Sequence, residues 1–207
     1  MRENKLRNYP RLHITNIELE ILFAGSANSR YSKIKRLINQ GKLIHIRRGL
    51  YVLTELLGHV AKPHPFELAQ YIYAPSYISL ESALAYHTLI PEAVYTVTSA
   101  CTRRSKEFNT PLGLFSFSHL PLKNFYTEVE RITKDDYQFF MAKPWKAICD
   151  YIYCYKKNWK SLAPLAQDLR INLEDLPMLG DAEIAMLDEY YHQKQLSNFL
   201  KKIAREI

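Results

Sequence analysis

Glycine and cysteine are scarce in this sequence. Six glycines in 207 residues cannot supply the glycine-rich loop that cradles phosphates in nucleotide-binding proteins. The three cysteines, Cys101, Cys149 and Cys154, are an odd number without a pairing pattern, which argues against a disulfide framework and for a reducing compartment. No apolar run approaches the roughly 18 residues of a membrane span, and residues 1–30 lack the apolar region of a signal peptide. We therefore expect a soluble, cytoplasmic protein with no membrane partner.

Acidic residues are scarce at the N-terminal end. Residues 1–58 contain four acidic residues against eleven Lys and Arg, an excess that equals the formal net charge of the whole chain, +7. The rest of the chain is therefore neutral, and this asymmetry predicts a polyanion-binding module joined to a neutral one. We place the basic module at residues 1–58 and a second domain at residues 65–207, with Lys62–Pro65 as a proline-stiffened linker. A solvated lysine-rich surface is the alternative interpretation of the basic end.

The order of elements in the basic module is that of a winged helix-turn-helix. A helix over Asn16–Ala24 is followed by a turn and by a second helix that runs from position 28 or 29 to Gln40. Two short strands, Leu43–Ile46 and Leu50–Leu53, then flank an Arg-Arg-Gly turn, which is typical of a hairpin. The module is therefore predicted to bind DNA.

The stretch before the second helix divides into an arm and a capped helix. Residues 1–12 are polar and basic, and we predict a mobile arm that either tracks the minor groove or forms a disordered tail. Thr15 is positioned to cap the first helix. We assign the apolar face of that helix to Ile17, Ile21 and Phe23–Ala24.

The second helix has one apolar face and one polar, basic face. Its apolar positions are Tyr31, Ile34, Leu37 and Ile38, which recur at helical spacing. In a helix-turn-helix, the N-terminal part of the outward face enters the major groove, while flanking cations bind phosphates and fix the register. We expect bases to be read by Ser29, Ser32, Lys33 and Arg36, and phosphates to be bound by Arg30, Lys35, Arg47 and Arg48.

Beyond the linker, helical and alternating patterns are interleaved. The expected fold class is α+β, with an N-terminal winged helix-turn-helix followed by a mixed α/β C-terminal domain that ends in a helical run. We predict helices over residues 66–73, 80–89, 143–157, 161–170, 181–191 and 193–205, and strands over residues 94–100, 113–119, 125–132 and 137–142.

A hydrolase site is the first enzymatic interpretation that the sequence invites. Ser79, Glu81, Ser82 and His87 lie close together in the chain. However, Ser79 is a good N-cap for the following helix, and Ser82 and His87, five residues apart, point in different directions. The Gly-x-Ser-x-Gly elbow of such enzymes is also missing. We expect these residues to cap and pack.

Metal-dependent chemistry is the second enzymatic interpretation. His59 and His64 have no further ligand nearby in the sequence to complete a metal site. Asp135–Asp136 followed by Lys143 and Lys146 loosely suggests a nuclease, but the expected acid-x-lysine step is missing and the carboxylates of such a site must converge. Lys146 and Asp150 are spaced as a surface pair on a helix. We expect no enzymatic activity, no cofactor and no metal.

Four segments resemble a known family. GKLIHIRRGLYVL, Gly41–Leu53, is similar to the winged-helix segment of the AbiEi antitoxin family. The segments Tyr77–Ser105, Gly113–Pro121 and Met141–Tyr153 are similar to later parts of the same family pattern, the last through an A-x-P-x-K-A-x-x-D helix. The resemblance covers about Ile14 to Tyr153, in the family's order.

The resemblance implies a role in a type IV toxin–antitoxin system. Members of the family are paired with a nucleotidyltransferase toxin. They repress their own operon through the N-terminal domain, and the C-terminal domain carries the antitoxin activity. The implied partners are therefore double-stranded DNA upstream of the gene and a functionally linked toxin, with no stable toxin complex assumed. Two alternatives remain open: a transcriptional regulator whose C-terminal domain senses a ligand or dimerises, and a DNA-targeted nuclease.

Overall fold

The described part of the protein is a mixed α+β structure with two β-sheets, which confirms the coarse fold class expected from the sequence. His59 and Asp135–Asp136, singled out above, lie outside the described residues, as do residues 1–3 of the expected arm. Among the residues that are described, no helix is both long and apolar enough to cross a membrane. The computed structural model describes residues 4–54, 62–121, 123–134, 137–204 and 206.

Over residues 4–54, the N-terminal part consists of three helices and a three-stranded antiparallel sheet. The strand that returns from the hairpin is central, so the sheet order is β1-β3-β2. The expected hairpin is confirmed, while β1 was not predicted. The elements are α1 (Asn4–Arg7), β1 (His13–Thr15), α2 (Asn16–Leu22), α3 (Ala27–Asn39), β2 (Leu43–Arg47) and β3 (Leu50–Leu53).

Helix α2 begins as expected but buries a different face. Thr15 caps it in a reciprocal capping box with the glutamate three residues on. Leu19 and Phe23 are buried, whereas Ile17 and Ile21 are 71% and 78% exposed. The apolar face predicted from Ile17 and Ile21 is therefore wrong. Too few apolar positions follow the helical period in so short a helix to decide which side faces the core.

Helix α3 starts earlier than predicted, because Ser26 caps it and Ala27 is its first residue. Ile34 and Leu37 are buried as expected. Tyr31 is 69% exposed, so its assignment to the core is wrong. At 100° per residue, Tyr31 lies about 120° around the helix from Leu37. It therefore stands at the edge of the apolar arc, where a tyrosine can keep its hydroxyl in water.

The predicted mobile arm is wrong for the part of it that is described. Residues 4–7 form α1, and Leu6 is completely buried in the core of the N-terminal part. Arg11 forms an ion pair with Glu18 of α2. Burying Leu6 contributes about 1.5–3 kcal/mol of hydrophobic stabilisation, which holds this stretch against the helices.

The C-terminal part is built on a six-stranded mixed sheet in the order β6-β7-β5-β4-β9-β8. The pairs β5–β7 and β4–β9 are parallel, and the other neighbours are antiparallel. A 3₁₀ turn, Leu173–Asp175, lies between α7 and α8. The elements are α4 (Pro65–Ile72), β4 (Ser76–Ile78), α5 (Leu80–Tyr86), β5 (Val97–Cys101), β6 (Lys106–Thr110), β7 (Gly113–His119), β8 (Val129–Lys134), β9 (Tyr137–Ala142), α6 (Pro144–Tyr155), α7 (Leu162–Leu169), α8 (Asp181–Tyr191) and α9 (Lys194–Ile203).

Most of these elements match the sequence expectation, but two strands were missed. β4 has only three residues, all buried, which is too short for a detectable alternation. β6 is the polar strand Lys-Glu-Phe-Asn-Thr at one edge of the sheet. An edge strand that faces water carries little apolar pattern, so the sequence offers no signal for it.

A buried ion pair lies at the centre of the C-terminal part. Lys146 and Asp150, one turn apart on α6, are both fully buried, and the Lys146 ammonium is 2.7 Å from Asp150 Oδ1. Tyr77 and Ser79 donate their hydroxyls to Asp150 Oδ2 at 3.0 and 2.6 Å. The Tyr191 hydroxyl donates to Asp150 Oδ1 and accepts a hydrogen bond from Lys146 at 2.8 Å. This network joins β4, the start of α5, α6 and α8.

Two sequence expectations are corrected by this network. Lys146 and Asp150 are not a surface pair, because the groups that cover Asp150 come from 41 to 73 residues away in the chain. Ser79 does occupy the N-cap position of α5, but it makes no capping hydrogen bond since its hydroxyl is committed to Asp150. Burial raises the pKa of Tyr77 and of Tyr191 well above the usual value, and the Asp150 charge raises both further.

The two parts of the chain share a packed junction. Ile46, Leu50 and Val52 of the small sheet belong to the same apolar core as the C-terminal sheet and helices. The His13 ring lies 3.7 Å from the ring of Tyr71 in α4. The other face of the small sheet packs against α1, α2 and α3. The orientation of α3 is therefore set partly by the C-terminal part, while the domain bounds 1–58 and 65–207 stay a prediction.

Lys146→Ala is expected to lower the free energy of unfolding by about 3–5 kcal/mol, because Asp150 is left buried without its charged partner. The matched control is Lys157→Ala, which removes a surface ion pair with Asp168 and is expected to cost less than about 1 kcal/mol. Urea denaturation followed by circular dichroism measures both values. Equal losses in the two variants would contradict the role given to the buried pair.

His13 is expected to make the junction sensitive to acid. Burial, and then the charge of Arg11, lower the pKa of His13 from 6.5 to about 4, so the folded state holds the imidazole neutral. Stability from this residue is complete above pH 6.5 and is lost as the pH falls from 6.5 towards 4, by about 3 kcal/mol in all.

The test of this prediction compares unfolding free energies at pH 7.5 and pH 5 in three proteins. His13→Phe keeps an aromatic ring against Tyr71 and is expected to lose less stability on acidification than the wild type. His45→Phe, at an exposed histidine of β2, is the control and is expected to behave as the wild type. The account fails if His13→Phe and wild type lose the same amount.

Candidate nucleic-acid interface

Four of the residues that the sequence assigned to DNA contact are exposed on α3, three on the outward face and Lys35 on the flank. Ser29, Ser32, Lys35 and Arg36 are all exposed, as is Asn39 towards the end of the helix. Within the ranges that the structure describes, the side chains of Lys35 and Arg36 have no hydrogen-bond or ion-pair partner in the protein. Four of the eight predicted contact residues therefore lie together, with both cations available to an external ligand.

Two further predicted residues lie on the flank of α3 and are held by the protein itself. The Arg30 guanidinium donates to the Gly25 carbonyl at 2.6 Å and lies 3.5 Å from the Glu20 carboxylate. The Lys33 ammonium stands 3.6 Å from the centre of the Phe23 ring, a distance at which a cation and an aromatic face attract. These contacts tie α3 to α2 and to the turn between them.

The two arginines of the hairpin turn have different surroundings. Arg47 donates to the Tyr71 carbonyl of α4 at 2.9 Å and is half-buried against the C-terminal part. Burial, and then the charge of Arg103, lower its pKa. Arg48 is exposed at the turn, which Gly49 closes with a φ of +80° that favours glycine. The hairpin tip thus points one arginine into the junction and one into solvent.

An aromatic group beside α3 was missed by the sequence analysis. Tyr31, assigned to the core, is exposed and lies near Tyr51 of β3, whose pKa is raised by burial and then by Tyr31. The His45 ring is 5.4 Å from that of Tyr51. Tyrosine hydroxyls are common donors to phosphate oxygens. The signal that could have found Tyr31 is its position at the edge of the helical apolar arc.

The residues of the hydrolase interpretation are engaged separately. Ser82 accepts the backbone N–H of Thr98 at 2.8 Å and donates to the Thr96 carbonyl at 3.2 Å. The His87 Nε2 atom lies 2.9 Å from the carbonyl of Ala142. Each side chain therefore satisfies a backbone group of a different strand, and the fold does not bring the two together.

The residues of the metal interpretation are likewise used in packing where they are described. His64 caps α4 through a 3.3 Å hydrogen bond from the Phe66 N–H, and its ring stacks on that of Tyr137 at 4.1 Å. Across the described ranges, with residues 55–61 and 135–136 left aside, no three His, Cys, Asp or Glu side chains are grouped as metal ligands. All three cysteines are free thiols.

No protein-family model matches the chain, and no curated protein matches it. The functional argument therefore rests on the molecule's own surface. Its fold and its candidate site define a mixed α+β protein in which a basic helix face is presented on a small sheet that is anchored to a larger one.

Proposed function

We propose that this protein binds double-stranded DNA through a winged helix-turn-helix, with α3 as the recognition helix and the β2–β3 hairpin as the wing. The observation that carries the proposal is the outward face of α3, where Lys35 and Arg36 are exposed beside Ser29 and Ser32. The major groove is about 12 Å wide and admits an α-helix. The positive charge of residues 1–58 supplies the attraction to phosphates.

The residues of this face have distinct proposed roles. Arg36 can donate both arms of its guanidinium to the O6 and N7 acceptors of a guanine, a contact that carries sequence information. Ser29 and Ser32 can donate to, or accept from, base edges and so tolerate several bases. Lys35, Arg48 and the Tyr31 hydroxyl suit phosphate oxygens, which fix the position of the helix but carry no sequence information.

The proposal extends to the biological role that the family resemblance implies. We propose that the protein represses its own operon and acts as the antitoxin for a nucleotidyltransferase toxin, with the antitoxin activity in the C-terminal part. What supports this step is the ordered resemblance of Gly41–Leu53 and of the three later segments. The proposal assigns no catalytic step to the chain and does not require a stable complex with the toxin.

The substitution Arg36→Gln is expected to reduce the preference for the DNA upstream of the gene over a scrambled duplex by about 5- to 150-fold, which is the contribution of one bidentate base contact. Lys35→Gln is expected to weaken both duplexes equally and to lower the slope of log K against log salt by about one. Fluorescence anisotropy over a salt series measures both quantities. Because both side chains are exposed, neither change should alter stability by more than about 0.5 kcal/mol.

The charge-matched control is Lys160→Gln, at an exposed lysine of the C-terminal part, which should leave both affinities unchanged. Equal loss on the two duplexes in Arg36→Gln would move Arg36 from base reading to phosphate binding. The proposal fails if both α3 variants bind DNA with wild-type affinity, or if wild-type binding does not depend on salt, because α3 would then not be part of the interface.

The antitoxin role is tested by growth of cells that co-express the protein with a nucleotidyltransferase encoded beside it. Wild type and Arg36→Gln are both expected to restore growth, because the proposed antitoxin activity does not use α3. Lys146→Ala, which disturbs the core of the C-terminal part, is expected to restore it poorly. Growth arrest that persists with soluble wild-type protein would rule out the antitoxin role and leave the DNA-binding proposal standing.

A further inference from the structure

A basic cavity lies at the junction between the hairpin and the C-terminal part. It measures about 410 Å³ and opens between the β2–β3 turn, the end of α4 and the strand β6. Within the described part of the chain, its lining holds four cations and no acidic residue. The residues on which the argument depends are Arg47, Arg48, Arg103, Lys106, Tyr73 and Phe108.

The cations from the C-terminal part are exposed and lie beside aromatic rings of the cavity wall. The Arg103 carbonyl lies 3.2 Å from the Cys101 thiol, which donates to it, and 3.0 Å from the His119 ring. The Arg103 guanidinium stands 5.5 Å from the centre of the Tyr73 ring. The Lys106 ammonium stands 4.8 Å from the ring of Phe108. Both charges are thus positioned over aromatic faces at the cavity wall.

The hairpin side of the cavity contains an unsatisfied donor. Arg47 uses its two terminal nitrogens on the carbonyls of Tyr71 and Arg48, both at 2.9 Å. Its Nε–H group is buried and has no hydrogen-bond partner among the described residues. A buried donor without a partner costs about 1–3 kcal/mol, and like charges brought together add to that cost. An anion in the cavity would offset the repulsion between these like charges.

We infer that this cavity is a binding site for a phosphate group, formed jointly by the hairpin turn and by β6 with the segment before it. Guanidinium groups bind phosphate oxygens through paired, charge-assisted hydrogen bonds, and the four cations of the lining outnumber the up to two negative charges of a phosphate group. The phosphate comes from one of two sources: the DNA backbone beside the groove that α3 occupies, or a free phosphorylated small molecule. The DNA source rests on the proposed function, whereas the free source does not.

The first arm of the test uses the full chain without DNA and inorganic pyrophosphate as the probe. Calorimetric titration is made on wild type, on the double variant Arg103→Gln/Lys106→Gln, and on the control Lys123→Gln/Lys160→Gln, which removes the same charge at exposed lysines elsewhere. Saturable binding that falls at least tenfold in the Arg103/Lys106 variant and is unchanged in the control supports a site for a free phosphorylated ligand. Arg36→Gln should bind pyrophosphate as the wild type does.

The second arm measures the salt dependence of binding to the upstream duplex in the same proteins. A slope that falls by about one to two units in the Arg103/Lys106 variant and not in the control supports contact with backbone phosphate, even where pyrophosphate does not bind. If wild type binds no DNA, the proposed function fails and the pyrophosphate titration alone decides. The inference is overturned if the Arg103/Lys106 variant behaves as its control in every arm in which wild-type binding can be measured. It is also overturned if the wild-type protein binds neither pyrophosphate nor the upstream duplex.

Discussion

The buried pair of Lys146 and Asp150 is the interaction on which the C-terminal part depends. One carboxylate receives hydrogen bonds from β4, from the residue before α5 and from α8, and a lysine of the same helix neutralises it. A buried ion pair adds little to stability when compared with apolar packing, but removing one partner is costly. Any arrangement that buries these four elements together but leaves Asp150 without its partners would carry that cost.

The same packing carries through to the surface that we propose binds DNA. Three residues of the small sheet share the core of the C-terminal part, and His13 and Arg47 contact Tyr71 of α4. The face of α3 is consequently presented by a sheet that is fixed at its back rather than by a tethered, independent module. In this account the C-terminal part helps to set where the hairpin lies, and the junction cavity is where the two parts would meet a common phosphate ligand.

Local sequence patterns were enough to predict most helices and strands. They were not enough to predict which side chains are buried by residues that lie far away in the chain. The bounds of β7, β9 and α8 agree with the prediction because a clear alternation or a clear helical run defines each. The exposed face of α3 was predicted as well, since Ile34 and Leu37 fix the opposite side. The prediction that Tyr31 lies in the core was wrong, because this residue stands at the edge of the apolar arc of α3. The environment of Asp150 could not be predicted, as its partners Tyr77 and Tyr191 lie far away in sequence.

The central claim is that α3 reads base edges in the major groove, and one substitution in the DNA tests it most directly. Replacing guanine by 7-deazaguanine in the upstream duplex removes the N7 acceptor and leaves every phosphate in place. The account predicts that wild-type binding weakens on the modified duplex, while the already weakened Arg36→Gln variant shows no further loss. Equal wild-type affinity for the modified and unmodified duplexes would contradict base reading of guanine by α3, and with it the role given to Arg36.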